Sequence, residues 1–406
     1  MYLGLACFAA LVFLYSLVSN KVERLSLSGP IVFVGAGVLL GPYGLNWFSP
    51  ASGSFNGKAL IDITLALFLF VDAASANLDV LRKNWRIPGR MLLLGLPLNI
   101  CLGSLAALWL FPSLSLYEAA ILGSMLAATD AALGKAVVTN PSVPQHLREG
   151  LSAESGLNDG LCVPFILLFI ALEQGSAVLG KGFGLELLLE ELGIGFAVGA
   201  GIAFVAAKAI LRVRELGWLG HVWQRMSVPA LVVLIFAIAQ SLHGSGYIAA
   251  FVGGLCFRVA MREDVHSLIV SAESVGEVMA MLAWVLFGLM LVPLAMPFIG
   301  GTEVLYAVLS LTVIRVLPIL LSLQGTRERL QGKLFLAWFG PRGLASLAFA
   351  TLVWAEQIPA AGTLVSVTVL TVAISLVVHG VTAAPFARRF ATHAEASSDP
   401  LVPRQD

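Results

Sequence analysis

Charge is what this chain lacks. Asp, Glu, Lys and Arg together make up 12% of 406 residues, half of the ~25% usual in a soluble domain. With 24 basic residues against 24 acidic ones, no excess of positive charge exists to grip a polyanion, and no nucleic-acid partner is expected. Cysteine is scarce too: Cys7, Cys101, Cys162 and Cys256 lie singly in apolar runs. They read as small hydrophobes, which excludes a disulfide framework or a zinc centre, and no cofactor is expected. The first apolar run, 2–19, lacks a basic segment before it and an A-x-A site after it, so no cleavable leader is expected. Long polar loops are absent as well. None exceeds about seventeen residues, too short to fold alone. What remains is oil: 58% hydrophobic residues and a mean hydropathy of +0.92. Such a chain is an integral membrane protein, and any chemistry it performs takes place within the bilayer.

A helix needs about 20 mostly apolar residues to cross a ~30 Å hydrocarbon core. By that ruler, spans are predicted at 2–19, 29–45, 58–75, 91–111, 116–139, 149–173, 184–208, 226–241, 246–262, 270–296, 302–323, 331–355 and 361–386. That makes about thirteen transmembrane helices. Two-residue alternation is absent, so the class is all-α and no membrane barrel is expected. Lys and Arg test the count. With the N-terminus outside, one side receives the clusters at 21–24, 82–90, 148, 208–225, 258–262, 327–333 and 388–389, while the other receives only Lys58 and Lys181. Such a bias places the C-terminus in the cytoplasm of a multi-pass cell-membrane protein. Arg212–Met226 is predicted as an interfacial amphipathic helix. After a membrane domain over 1–389 comes a polar cytoplasmic tail, 390–406, in which LVPR (Leu401–Arg404) reads as a leftover protease-cleavage sequence. Spans two to six recur as spans nine to thirteen after about 212–217 residues. Six spans, a linking span and six more spans give halves of opposite orientation, an inverted repeat of the kind secondary transporters use.

An ionisable group at mid-bilayer costs at least ~2.5–3.5 kcal/mol, so each one needs a reason. At ~1.5 Å per residue, Asp159, Asp130, Arg342 and Arg315 lie about 12–16 Å from the cytoplasmic face, with Glu154 shallower. The backbone around two of them is unusual: LAATDAALG (Leu126–Gly134) and WFGPRGLAS (Trp338–Ser346) interrupt corresponding spans of the two halves. Interrupted helices in matching positions are the best sequence pointer to a transporter's binding site. Where half-helices meet, Asp130 is suited to neutralise their positive N-termini and Arg342 their negative C-termini, whether or not either touches a substrate. In SAESGLNDG (Ser152–Gly160), helical spacing stacks Glu154 with Asn158 and Ser155 with Asp159. Asp159, Ser155 and a freed carbonyl of Thr129 offer oxygens to a hard monovalent cation. Glu154 reads as the structural partner of Arg315. Lys135 is expected to snorkel, and Asp72 either lines an access funnel or is an ordinary interfacial residue. A carboxylate in such a pocket is held ionised only by a bound cation and otherwise takes a proton, so competition for Asp159 couples the two ions. An intramembrane hydrolase is excluded because the histidines, His379 among them, are predicted near span ends and away from Ser155 and Asp159.

The ordered motifs ATD (Ala128–Asp130), ESGLNDG (Glu154–Gly160) and FGPRG (Phe339–Gly343), with LFLFVDAASANLDVLRKNWR (Leu67–Arg86), resemble those of monovalent cation:proton antiporters, in the electroneutral NhaP-like/NHE-like branch. The resemblance covers nearly the whole chain. It implies a thirteen-helix homodimer in which two crossed discontinuous helices lie in a mobile core and transport is elevator-like. The dimerisation part would be mainly the helices at 2–111 and 184–262, and the core mainly 58–173 and 270–386. It implies exchange of sodium, or of lithium or potassium, for one proton. The family's ion-site positions match Thr129, Asp130, Ser155 and Asp159, its Asn-Asp pair matches Asn158 and Asp159, and its structural ion pair matches Glu154 and Arg315. No cytoplasmic regulatory domain is expected after the last helix.

Overall fold

The thirteen predicted spans become fourteen helices among the described residues, because the twelfth is broken in two. A computed structural model describes residues 2–24, 29–48, 57–75, 85–130, 133, 138, 140, 143–178, 183–261 and 265–397. Lys135, Lys181, the stretch 76–84 and the LVPR sequence lie outside the described residues. The helices are α1 (Tyr2–Arg24), α2 (Gly29–Leu40), α3 (Gly57–Ser75), α4 (Arg86–Leu110), α5 (Leu116–Met125), α6 (Gln145–Val178) and α7 (Phe183–Glu215). They continue as α8 (His221–Ser241), α9 (Gly246–Met261), α10 (Val265–Leu286, prolonged through Phe287–Leu291 to Val292–Ala295), α11 (Gly301–Ser322), α12 (Leu330–Trp338), α13 (Leu344–Ala355) and α14 (Ala361–Ser397). No strand occurs among the described residues. Seven helices among those residues are long and apolar enough to cross a bilayer, and four apolar ones are shorter.

Helix packing sorts the elements into two bundles. In one, α9 packs on α7 and α3, α10 on α3 and α2, and α8 against α9 and α10, with α1 leaning on α2. In the other, α4 packs on α5, α5 on α6, α11 on α14 and α12, and α13 on α14. The seam is made by α6, which touches α3, α7 and α9, by the last turn of α10 against α14, and by α13 against α3. The two spans shared by the predicted parts, 58–75 and 91–111, fall one to each bundle. Span 91–111 packs with the second bundle, where the Tyr306 hydroxyl of α11 donates to Gly103 O of α4 at 2.9 Å. Spans 58–75 and 270–296 pack with the first. Apolar side chains line both faces of these helices, so composition alone does not select the partner.

The segment 212–226 is not a separate interfacial helix. Its first residues finish α7, Gly217 turns with φ +69°, and its last residues begin α8. The Trp218 amide reaches back to Val213 O at 3.1 Å, closing the end of α7. The amphipathic pattern there belongs to two helix ends facing the interface. Outward-facing Leu93, Leu105 and Trp109 of α4 are exposed as in other membrane helices, whereas Phe70 and Phe257 interlock between α3 and α9 with ring centroids 5.6 Å apart.

Candidate functional site

The two interruptions meet. α5, started by a capping box between Ser115 and Glu118, ends at Met125, and 128–130 run without helical bonds. On the other side, 339–343 separate α12 from α13, with Pro341 lacking the amide that a continuing helix requires. The Asp130 amide donates to Pro341 O at 2.8 Å, joining the unwound segments. Helix ends left open by the breaks carry partial charges and unpaired groups, and the end of α5 and the start of α13 are each closed by the opposite segment. Arg342 Nη1 donates to Ala127 O and Ala128 O, both at 2.9 Å, beyond the end of α5. Asp130 Oδ2 accepts from the Leu344 amide at 3.1 Å, at the start of α13. Its Oδ1 accepts from the Leu133 amide at 3.3 Å. Ser346 Oγ adds a bond to Met125 O at 2.9 Å.

This crossing requires the glycines of FGPRG. A Cβ on Gly343 would sit 1.9 Å from Asp130 Oδ2, and one on Gly340 would sit 2.4 Å from Arg315 Nε. Neither fits.

α6 passes beside the crossing. Glu154 and Arg315 form a two-point ion pair, Nη1 to Oε1 at 2.8 Å and Nη2 to Oε2 at 3.0 Å, with both side chains 1% exposed. Asn158 Nδ2 donates towards Ala127 O, Thr129 Oγ1 and Glu154 Oε1 at 3.1–3.2 Å, and its Oδ1 accepts from Cys162 Sγ at 3.3 Å. Asn158 thus ties α6 to the broken segment without adding charge. Thr129 Oγ1 lies 3.3 Å from Ser155 Oγ. Asp159 is buried, the Thr129 amide faces its carboxylate, and its Oδ1 has no hydrogen-bond partner among the described residues.

Thr129, Asp130, Glu154, Ser155, Asn158, Asp159, Arg315 and Arg342 are therefore brought together. Asp72, half-buried on α3, lies across the seam: a Cβ on Gly156 would be 3.5 Å from its Cβ. It is one of the charged neighbours of Asp159, with Asp130 and Glu154. Asp130, Ser155, Ser152 and Pro341 line a narrow crevice beside them. Of the carboxylates at the crossing, Glu154 is neutralised by Arg315 and Asp130 holds helix amides. Asp159 alone presents an unengaged oxygen. Carboxylate, hydroxyl and main-chain oxygens suit a hard monovalent ion, and no group of three His, Cys, Asp or Glu side chains suited to a metal occurs among the described residues.

Three supporting residues escaped the sequence reading. Ser375 Oγ accepts from the Arg342 amide at 2.8 Å. His379, four residues before the end of the apolar span Ala361–Ala383, is buried beside the crossing: Nε2 lies 3.1 Å from Trp338 O at the end of α12, and Nδ1 lies 3.0 Å from Ser375 Oγ. Helical spacing of Ser375 and His379, one turn apart, was the available signal. Cys162, read as a small hydrophobe, also bonds Asn158.

A family model described as sodium/hydrogen exchanger, transmembrane, matches residues 8–389. The chain is 31% identical over 221 residues to Na(+)/H(+) antiporter 2 of Zygosaccharomyces rouxii, a match covering 52% of this chain and 27% of that protein. It is 24% identical over 383 residues to the K(+)/H(+) antiporter NhaP of Alkalimonas amylolytica, covering 93% of this chain and 65% of the relative. The chain thus spans less than two thirds of the length of these relatives. Among solved structures, the sodium proton antiporter MjNhaP1 from Methanocaldococcus jannaschii at pH 8 matches with a TM-score of 0.78 and 20% identity, covering 94% of this chain and 99% of that one.

Proposed function

The chain belongs to the sodium/hydrogen exchanger family, and we propose that it exchanges one monovalent cation, sodium foremost, for one proton across the cell membrane. Asp159 is the shared carrier. In one form it balances a dehydrated cation, with Ser155 and Thr129 supplying further oxygens while Asp130 holds the two helix breaks together. In the other it holds a proton. Asn158 organises the site without charge, and Asp72 lines the access route from the cytoplasm. The observation that carries this reading is the unengaged Oδ1 of Asp159 beside a Glu154 already paired with Arg315. A buried carboxylate in that position needs a counter-ion or a proton. The second bundle carries the site past the first, in a homodimer with its N-terminus outside and its C-terminus in the cytoplasm.

The test uses the purified chain in sealed vesicles with a pH gradient. Adding sodium chloride should dissipate the gradient. Asp159→Asn should lower that flux below about a tenth of wild type while the protein stays folded, since an amide neither takes the proton nor balances the cation. Larger residual flux would remove Asp159 from this role. Potassium is the second reading, favoured by the match to an NhaP named for potassium over 93% of this chain. The same assay with lithium, sodium and potassium chlorides orders the three.

A further inference from the structure

Away from the crossing lies a cavity of about 620 Å³, within the roughly 300–1,000 Å³ range of small-ligand sites. Its walls come from three places in one bundle: Arg86 and Arg90 at the start of α4, His146 at the start of α6, and Thr326, Arg327 and Glu328 between α11 and α12. Arg86 and Arg327 are exposed and pair with no carboxylate among the described residues. Arg90 Nη1 donates to Gln324 O at 2.5 Å, tying α4 to the loop. The acidic member, Glu328, is already engaged, 3.0 Å from His146 Nε2. Three guanidinium groups thus face one occupied carboxylate, beside the N-terminal amides of α4 and α6. Trp85, also lining the cavity, is 53% exposed. An exposed Trp among arginines is the side-chain pattern found at the level of lipid headgroups.

We propose that this cavity binds a phosphate group, and that its source is the headgroup of an acidic phospholipid on the arginine-rich side of the membrane. Arg86 and Arg327 grip the phosphate oxygens with their forked donors, and Arg90 holds the loop in register. Basic pockets between membrane helices on the cytoplasmic side are suited to anionic headgroups. A soluble phosphate compound carries the same chemistry and is the other source to separate. A bound phosphate braces the start of α6, the helix bearing Asp159, against the loop leading into α12. The proposal stands on its own, independent of which ions the protein exchanges.

The experiment measures thermal melting of the purified full chain in neutral detergent while short-chain phosphatidylglycerol, phosphatidylcholine of equal chain length, or inorganic pyrophosphate is titrated. Phosphatidylglycerol should raise Tm of wild type and of the control R212Q/R225Q, which loses the same charge elsewhere. In R86Q/R327Q about two thirds of that shift or more should disappear, and phosphatidylcholine should give none. If pyrophosphate reproduces the shift in wild type and not in R86Q/R327Q, the site stands and its phosphate is soluble. An equal shift in R86Q/R327Q, or an equal shift with phosphatidylcholine, overturns the proposal. Should R86Q/R327Q fail to fold, hydrogen exchange on wild type decides. Exchange over 324–328 should slow with phosphatidylglycerol or pyrophosphate, and no change with either overturns the site.

Discussion

Arg315 is a full charge at 1% exposure, tolerated because Glu154 takes both of its terminal nitrogens. Removing one partner leaves the other uncompensated, at a cost of roughly 3–5 kcal/mol. Glu154→Ala and Arg315→Ala should therefore each lower Tm strongly, while the double substitution should be less damaging than the sum of the singles. Strict additivity in melting curves would dissolve the partnership. Gly343 makes a sharper demand. A methyl group there collides with the Asp130 carboxylate, so Gly343→Ala should abolish transport and lower Tm, whereas Gly35→Ala, with open space around it, should change neither. Equal behaviour of the two variants would show that the crossing can relax around a side chain.

At the scale of elements, two helix breaks exchange caps, and the exchange separates two roles of Asp130. Both of its oxygens accept amide hydrogens from helix starts or turns. Asp130→Asn should accordingly lower the maximum rate more than it changes apparent cation affinity, as measured by sodium-dependent dissipation of a pH gradient. A weakened affinity with an intact maximum rate would instead place its charge on the ion. Ser375→Ala removes the acceptor of the buried Arg342 amide and should cost about 1–3 kcal/mol of stability, readable in the same melting assay. The breaks were legible in the sequence because Thr-Asp and Gly-Pro-Arg-Gly inside apolar runs violate the expectations of a membrane helix. The pairing of Glu154 with Arg315 was legible because a charge at that depth requires an opposite one. Ser375, His379 and Cys162 were not, since a small polar group on an apolar helix announces no partner. Bundle membership was equally silent: α3, α4 and α10 are apolar on faces turned to protein and to lipid alike.

For the whole molecule, charge balance is the measurable quantity. If Asp159 alternates between one proton and one cation while Asn158 stays neutral, each cycle moves no net charge. Exchange of sodium should then ignore an imposed membrane potential. One net charge would be worth ~2.3 kcal/mol per 100 mV, about fifty-fold in the final gradient, so a voltage-proportional sodium gradient would overturn the one-for-one scheme. The reciprocal capping of the two breaks has a consequence of another kind. Thr129, Asp130, Ser155 and Asp159 all belong to one bundle, and the caps of Arg342 and Asp130 lock them there; none of these oxygens is borrowed from the other bundle. If these residues form the ion's seat, it carries its ligands with it and offers the ion the same welcome at either door. Half-saturating sodium measured from the two faces of oriented vesicles at equal pH should agree within about threefold, with Asp72, the acid across the seam, accounting for the remainder. The protein would then be a machine without a preferred direction, run forwards or backwards by the gradients alone.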